Sequence, residues 1–254
     1  MTRNLITIKT RDGESQTSVF RPDVGQGPWP AVLVYQDGRG VRQALFELGQ
    51  RIASAGYFVI LPDLFYRAGP FTPPDPVAFA QDAELRKQWQ AKYMATATKA
   101  NVRSDTEAFL AYLAGERDVS SLSIGTTGYC MGGGLSLSAA GNFPERVIAA
   151  ASYHGGNLAT DDPESPHLLA SKIKAQVYVA GAVEDASFPD SQKRLLTDTL
   201  TAAKVDHVVE TYEGAKHGWV PTDSVVYDRA ASDKHYQTLL ALFERTLKNA
   251  PKKS

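Results

Sequence analysis

Hydrophobic positions along the chain change period repeatedly. Residues 5–10 (LITIKT) and 17–22 (TSVFRP) alternate apolar with polar, the pattern of an opening β-hairpin. Residues 29–36 (WPAVLVYQ) are apolar nearly throughout, as in a strand buried on both faces. Ala44, Leu45, Leu48, Ile52 and Ala55 then recur at helical spacing over 42–55, and Gly56 closes the helix. YFVILPD (57–63) is the next strand, and a proline-rich connection leads into a helical region reaching about residue 116. Further strands fall at SLSIGTTGY, VIAAASYH, QVYVAGAVED and DHVVETYEG, with helices at 187–203 and 225–248. Strand alternating with helix at this rhythm predicts an α/β fold: a mostly parallel central sheet with helices on both faces. No repeat or linker divides the chain, so residues 1–254 read as one domain, with the irregular stretch 66–97 as a lid or pocket wall.

Composition narrows the partners. A formal net charge of −1 leaves no basic footprint for nucleic acid. The apolar runs are too short to span a bilayer, and MTRNLITIKTRDGESQ has no signal-peptide core. A cytoplasmic protein, monomer or homodimer, acting on a small molecule is the expectation. No metal-ligand spacing and no dinucleotide fingerprint occurs, so no cofactor is expected.

The single cysteine carries the chemistry. Cys130 lies where a strand meets a helix, inside Gly128-Tyr129-Cys130-Met131-Gly132. Glycines two before and two after permit a sharp strand-to-helix turn that lifts the central side chain above the sheet. A helix N-terminus behind the sulfur favours a thiolate. Such a nucleophile needs a base and an orienting carboxylate at later strand ends. His217 follows the last strand and is the candidate base. Asp185 ends QVYVAGAVED and is the candidate acid, with Glu184 as runner-up and a helix cap as its bland alternative. His154 also ends a strand on the correct side, but that strand precedes every candidate acid. His167, His207 and His235 suit packing or surface roles better.

These pieces resemble the dienelactone hydrolase (carboxymethylenebutenolidase) family of α/β-hydrolases. The resemblance rests on YQDGRG, GYFVILPDLFYR, GYCMGG, YHGG, GAVEDASFP and YEGAKHGW, in order, over 31 to about 220. It implies a Cys130–His217–Asp185 triad that cleaves an ester or lactone through an acyl-thioester, with an oxyanion hole from the backbone N–H groups of Met131 and Gly38. It also implies a carboxylate near the resting thiol, at the position of Asp37, where the family carries glutamate; a turn residue in QDGRG is the equal alternative for Asp37. Family members that take dienelactone use two arginines for its carboxylate. Here those positions read Asp82 and Pro221, with Arg86 four residues from the first. Neither aspartate nor proline can supply bidentate recognition of an anion, so an altered substrate is expected. Trp89 and Trp219 are the leading candidates for substrate contacts, with Arg86 and Tyr153 behind them. Two other readings stand beside the hydrolase: a non-catalytic binding or regulatory protein on the same fold, and a redox-active single-cysteine protein.

Overall fold

A computed structural model describes residues 3–250. Eight strands occur among the described residues: β1 (Arg3–Lys9), β2 (Glu14–Phe20), β3 (Trp29–Tyr35), β4 (Phe58–Pro62), β5 (Val119–Tyr129), β6 (Val147–Tyr153), β7 (Gln176–Ala182) and β8 (His207–Tyr212). They form one sheet in the order β1-β2-β4-β3-β5-β6-β7-β8. β2 runs antiparallel to both its neighbours, whereas β3 through β8 are mutually parallel. This is the α/β-hydrolase arrangement, and it brings every parallel strand to its C-terminal end on one edge.

The apolar run of β3 divides by parity, as a twice-covered strand must. Ala31, Leu33 and Tyr35 face one core, whereas Val32 and Val34 face the other. Helix α1 (Gln43–Ser54) covers the second face through Leu45, Leu48 and Ile52, joined there by the long last helix (Arg229–Leu247) through Leu239, Leu242 and Phe243. The opposite face is covered by the helices Lys99–Gly115, Met131–Asn142 and Asp190–Ala202.

The helical region before residue 116 is three helices rather than one: α2 (Pro76–Gln81), α3 (Ala83–Lys92) and α4 (Lys99–Gly115). The breaks are capping events. Asp75, Asp82 and Thr98 each accept backbone N–H groups with their side chains and so start a new helix. Asp82 is therefore occupied: its Oδ1 takes the N–H of Glu84 at 2.9 Å and of Leu85 at 3.0 Å. The next two helices are α5 (Met131–Asn142) and α6 (Asp190–Ala202). α6 starts later than the apolar periodicity predicts because Pro189 holds the N-cap. The last helix, α7 (Arg229–Leu247), starts late as well, where Asp228 caps it. Among the described residues no helix is long and apolar enough to cross a membrane.

Candidate active site

Cys130 sits between β5 and α5 with φ 53 and ψ −115, a backbone conformation that L residues rarely adopt. The flanking glycines are obligatory. A Cβ on Gly128 would run into the backbone carbonyl of Gly132, and one on Gly132 would run into the carbonyl of Tyr35 at the end of β3. With neither present, α5 closes directly onto the sheet and the partly exposed sulfur is carried to its C-terminal edge.

The two other members of the expected constellation arrive on loops after β7 and β8. His217 Nδ1 lies 2.7 Å from Asp185 Oδ2. Ser187, absent from the sequence reading, takes the other carboxylate oxygen. Its backbone N–H and its hydroxyl both donate to Asp185 Oδ1, at 2.9 and 2.6 Å. The same hydroxyl lies 3.2 Å from His217 Nδ1. Asp185 is thus both a turn-former and the partner of His217. Its neighbour Glu184 is solvent-exposed, which removes the runner-up.

Charge at the pair follows from these bonds. Burial alone would raise the Asp185 carboxyl, but hydrogen bonds from His217 and Ser187 bring it down to about 2. Burial would likewise lower His217. Hydrogen bonds to Asp185 and Cys130, and the pull of both charges, outweigh it and push the imidazole up to about 10. The arrangement holds a proton on His217, between a carboxylate and the sulfur.

Two cavities meet at Cys130 and His217. One, of about 360 Å³, is walled mainly by Phe79, Ala80, Pro221, Val225 and Val226, with Gly38 at its edge. The other, of about 570 Å³, is more polar and includes Met131, Ser187, Asn157 and Lys99. Gln90 and Met94 line both. The stretch 66–97 therefore supplies cavity wall through Phe79, Ala80, Gln90 and Met94.

The four residues expected to touch substrate do not line either cavity. Trp89 is buried in an aromatic cluster with Phe65, Phe71 and Tyr93, and its Nε1–H donates to the Gly38 carbonyl at 2.7 Å. It braces the loop that carries Gly38 from behind. Trp219 is fully buried against His154 and Tyr212. The Tyr153 hydroxyl meets Thr238 on α7, in the core beneath the elbow. Arg86 bonds the carbonyls of Phe79 and Ala80 at the end of α2, which spends its charge on a helix terminus. In each case packing or backbone satisfaction took a side chain whose position along the chain is near the site.

Asp37 does line the smaller cavity, but its carboxylate is taken. Arg42 holds both oxygens, at 2.7 and 2.8 Å, and the Arg39 N–H adds a third bond. Arg42 also reaches Asp223, as does Arg39 at 2.9 Å, while Arg39 further donates to the Pro74 carbonyl. Each arginine of this cavity is thus matched by a carboxylate. In the larger cavity Lys99 pairs with Asp162 at 2.7 Å. No cluster of His, Cys, Asp or Glu suited to a metal ion occurs among the described residues.

Comparison with known proteins agrees with this architecture. The dienelactone hydrolase family model matches residues 16–247. The carboxymethylenebutenolidase of Pseudomonas putida is 29% identical over 228 residues, covering 89% of this chain and 90% of its own. Among solved structures, a dienelactone hydrolase-like promiscuous phosphotriesterase from metagenomic libraries superposes with a TM-score of 0.77 at 20% identity, covering 96% of this chain and 98% of its own. The dienelactone hydrolase of Anabaena variabilis gives 0.66 at 18% identity, with 97% and 98% covered. The structural likenesses speak to the fold, and the family match spans nearly the whole of it. An α/β-hydrolase sheet with a G-x-C-x-G elbow at its centre and a match over residues 16–247 places this chain in the dienelactone hydrolase family.

Proposed function

We propose that the protein is a cysteine-dependent hydrolase of neutral esters or lactones, acting through an acyl-thioester on Cys130. The observation that carries this reading is the meeting of three features at one point. A strained cysteine, an Asp185-bound His217 and two cavities converge there.

In this mechanism the Cys130 sulfur attacks the carbonyl carbon, and the thiol proton resides on His217. The developing oxyanion is received by the N–H groups of Met131, at the start of α5, and of Gly38, after β3. His217 then protonates the departing alkoxide, and the C–O bond breaks. In a lactone the freed alcohol stays tethered to the acyl group. Water, deprotonated by His217, attacks the thioester, and the carboxylic acid and thiol are regenerated. Asp185 orients Nδ1–H throughout and offsets the imidazolium charge. Intact-protein mass after acid quenching of a slow aryl ester tests the covalent step. An adduct of the acyl mass on Cys130 is expected, and hydrolysis without any adduct in rapid-quench samples would sink it.

Substrate charge follows from the matched arginines. Arg39 and Arg42 already face Asp37 and Asp223, so an anionic substrate would have to displace a paired carboxylate, buried at Asp37 and half-buried at Asp223. Neutral substrates are expected to win by about tenfold in kcat/KM, or about 1.4 kcal/mol, over an anionic lactone of the same skeleton. Comparing such a lactone with its methyl ester decides it, and a tenfold preference for the anion would show that one arginine is released on binding.

A further inference from the structure

His154 is the buried titratable group that this mechanism leaves unused. It follows β6 in left-handed backbone, φ 40, with its N–H bonded to the Ala180 carbonyl at 2.8 Å. The residue is 1% exposed. Its Nδ1 lies 3.1 Å from the backbone nitrogen of Cys130 and accepts that N–H, which the Tyr153 carbonyl shares at 3.2 Å. An accepting Nδ1 places the ring proton on Nε2, and Nε2 is buried without a partner. A side chain that leaves one buried nitrogen unsatisfied is held there by something else. The ring is clamped between Trp219, edge to face at 4.9 Å, and His217 at 5.4 Å between centroids.

We infer that His154 is a positioning residue for the reaction: through Nδ1 its neutral ring holds the N–H of Cys130, and with it the strained backbone that aims the sulfur at His217. The inference rests on the hydrolase reading for its purpose, but its geometry stands apart from turnover. Conformations such as that of Cys130 persist only where the surroundings over-determine them. The glycines make room for the elbow, whereas His154 pulls on it from the neighbouring strand. The role requires the neutral form, because a protonated Nδ1 would face the Cys130 N–H donor to donor. Burial first, then the neighbouring His217 and His235, keep the ring's pKa well below its ordinary value. The ionisable groups around it are Cys130 and Tyr129 from the elbow strand and His217 from the loop after β8, with Asp185 and His235 beyond them.

His154→Phe keeps a ring against Trp219 and removes the acceptor. His154→Asn places Oδ1 close to where histidine carries Nδ1, and so restores an acceptor. Iodoacetamide alkylation of Cys130 at neutral pH is expected to slow by about tenfold or more in His154→Phe, with most of that loss recovered in His154→Asn. In ester hydrolysis the same variants should change kcat in parallel and leave KM within about threefold of wild type. His154→Ala replaces the phenylalanine variant if the latter does not fold, since it deletes the acceptor without adding volume. Unchanged alkylation without the acceptor would overturn the inference, and so would equal slowing in His154→Phe and His154→Asn, which would assign the effect to packing. Alkylation needs no substrate, so a protein that hydrolyses no ester would refute the function proposed above and leave this test intact.

Discussion

Hydrolysis by Cys130→Ala is expected to fall by roughly 10⁴-fold or more in kcat, close to the rate left by binding and oxyanion stabilisation alone. The reason is that no second nucleophile is at hand. Ser187 lies next to His217, but its hydroxyl already donates to Asp185. The fold should survive, because alanine at φ 53 bears the same backbone strain as cysteine and loses only the sulfur. Circular dichroism and thermal melting would establish that, and steady-state kinetics on a neutral aryl ester would read the loss. Retention of even a tenth of wild-type activity would exclude a covalent role for the sulfur. Cys130→Ser should recover little, since a hydroxyl is far less acidic than a thiol and gives up its proton to His217 far less readily.

The largest effect on stability is expected at Gly128. Its Cβ would occupy the space of the Gly132 carbonyl, and the obstruction is backbone on backbone, with no side chain free to turn aside. Gly128→Ala must therefore open the strand-to-helix turn and lift α5 from the sheet. A cost of about 4–5 kcal/mol or more is expected, a large share of the 5–15 kcal/mol typical of a domain. For a chain of this size it lowers the melting temperature by roughly 10–20 °C, if folded protein is obtained at all. Gly115→Ala is the matched comparison. It closes α4, nothing lies within 4 Å of its virtual Cβ, and the change should be neutral or slightly stabilising. Equal melting temperatures for the two variants would mean that the elbow does not need its glycine.

The parallel sheet and the elbow were legible in the primary structure for a shared reason: both are consequences of short-range requirements. β3 is apolar at consecutive positions because it has two cores to serve, and that demand is written residue by residue. Gly128 and Gly132 flank Cys130 because local backbone would otherwise collide with itself or with the neighbouring strand. The expectation that Asp185 and His217 meet also held as geometry, since strand ends in a parallel sheet share one edge and each residue follows a strand directly.

What linear order did not carry is where long side chains end. Trp89 and Arg86 lie on α3, a weakly amphipathic helix between capping residues, so no periodic stripe signals which side faces the cavity. Only the packing of α3 against Phe65 and Phe71 turned the indole toward the Gly38 carbonyl. Asp37 reads as a carboxylate near the thiol until the fold brings Asp223 and Arg42 beside it. Arg42 is only five residues from Asp37, but Asp223 comes from the far end of the chain, and no local pattern brings it to that pair. His154 shows the division most sharply. Its place at the end of a strand is plain from the apolar run before it, whereas the direction of its ring depends on φ 40, on Trp219 and on the backbone of Cys130. Secondary structure and turns answer to neighbours along the chain, so the sequence determined them. The partners of a buried charge or ring come from distant segments competing for one space, so only the tertiary structure decided those.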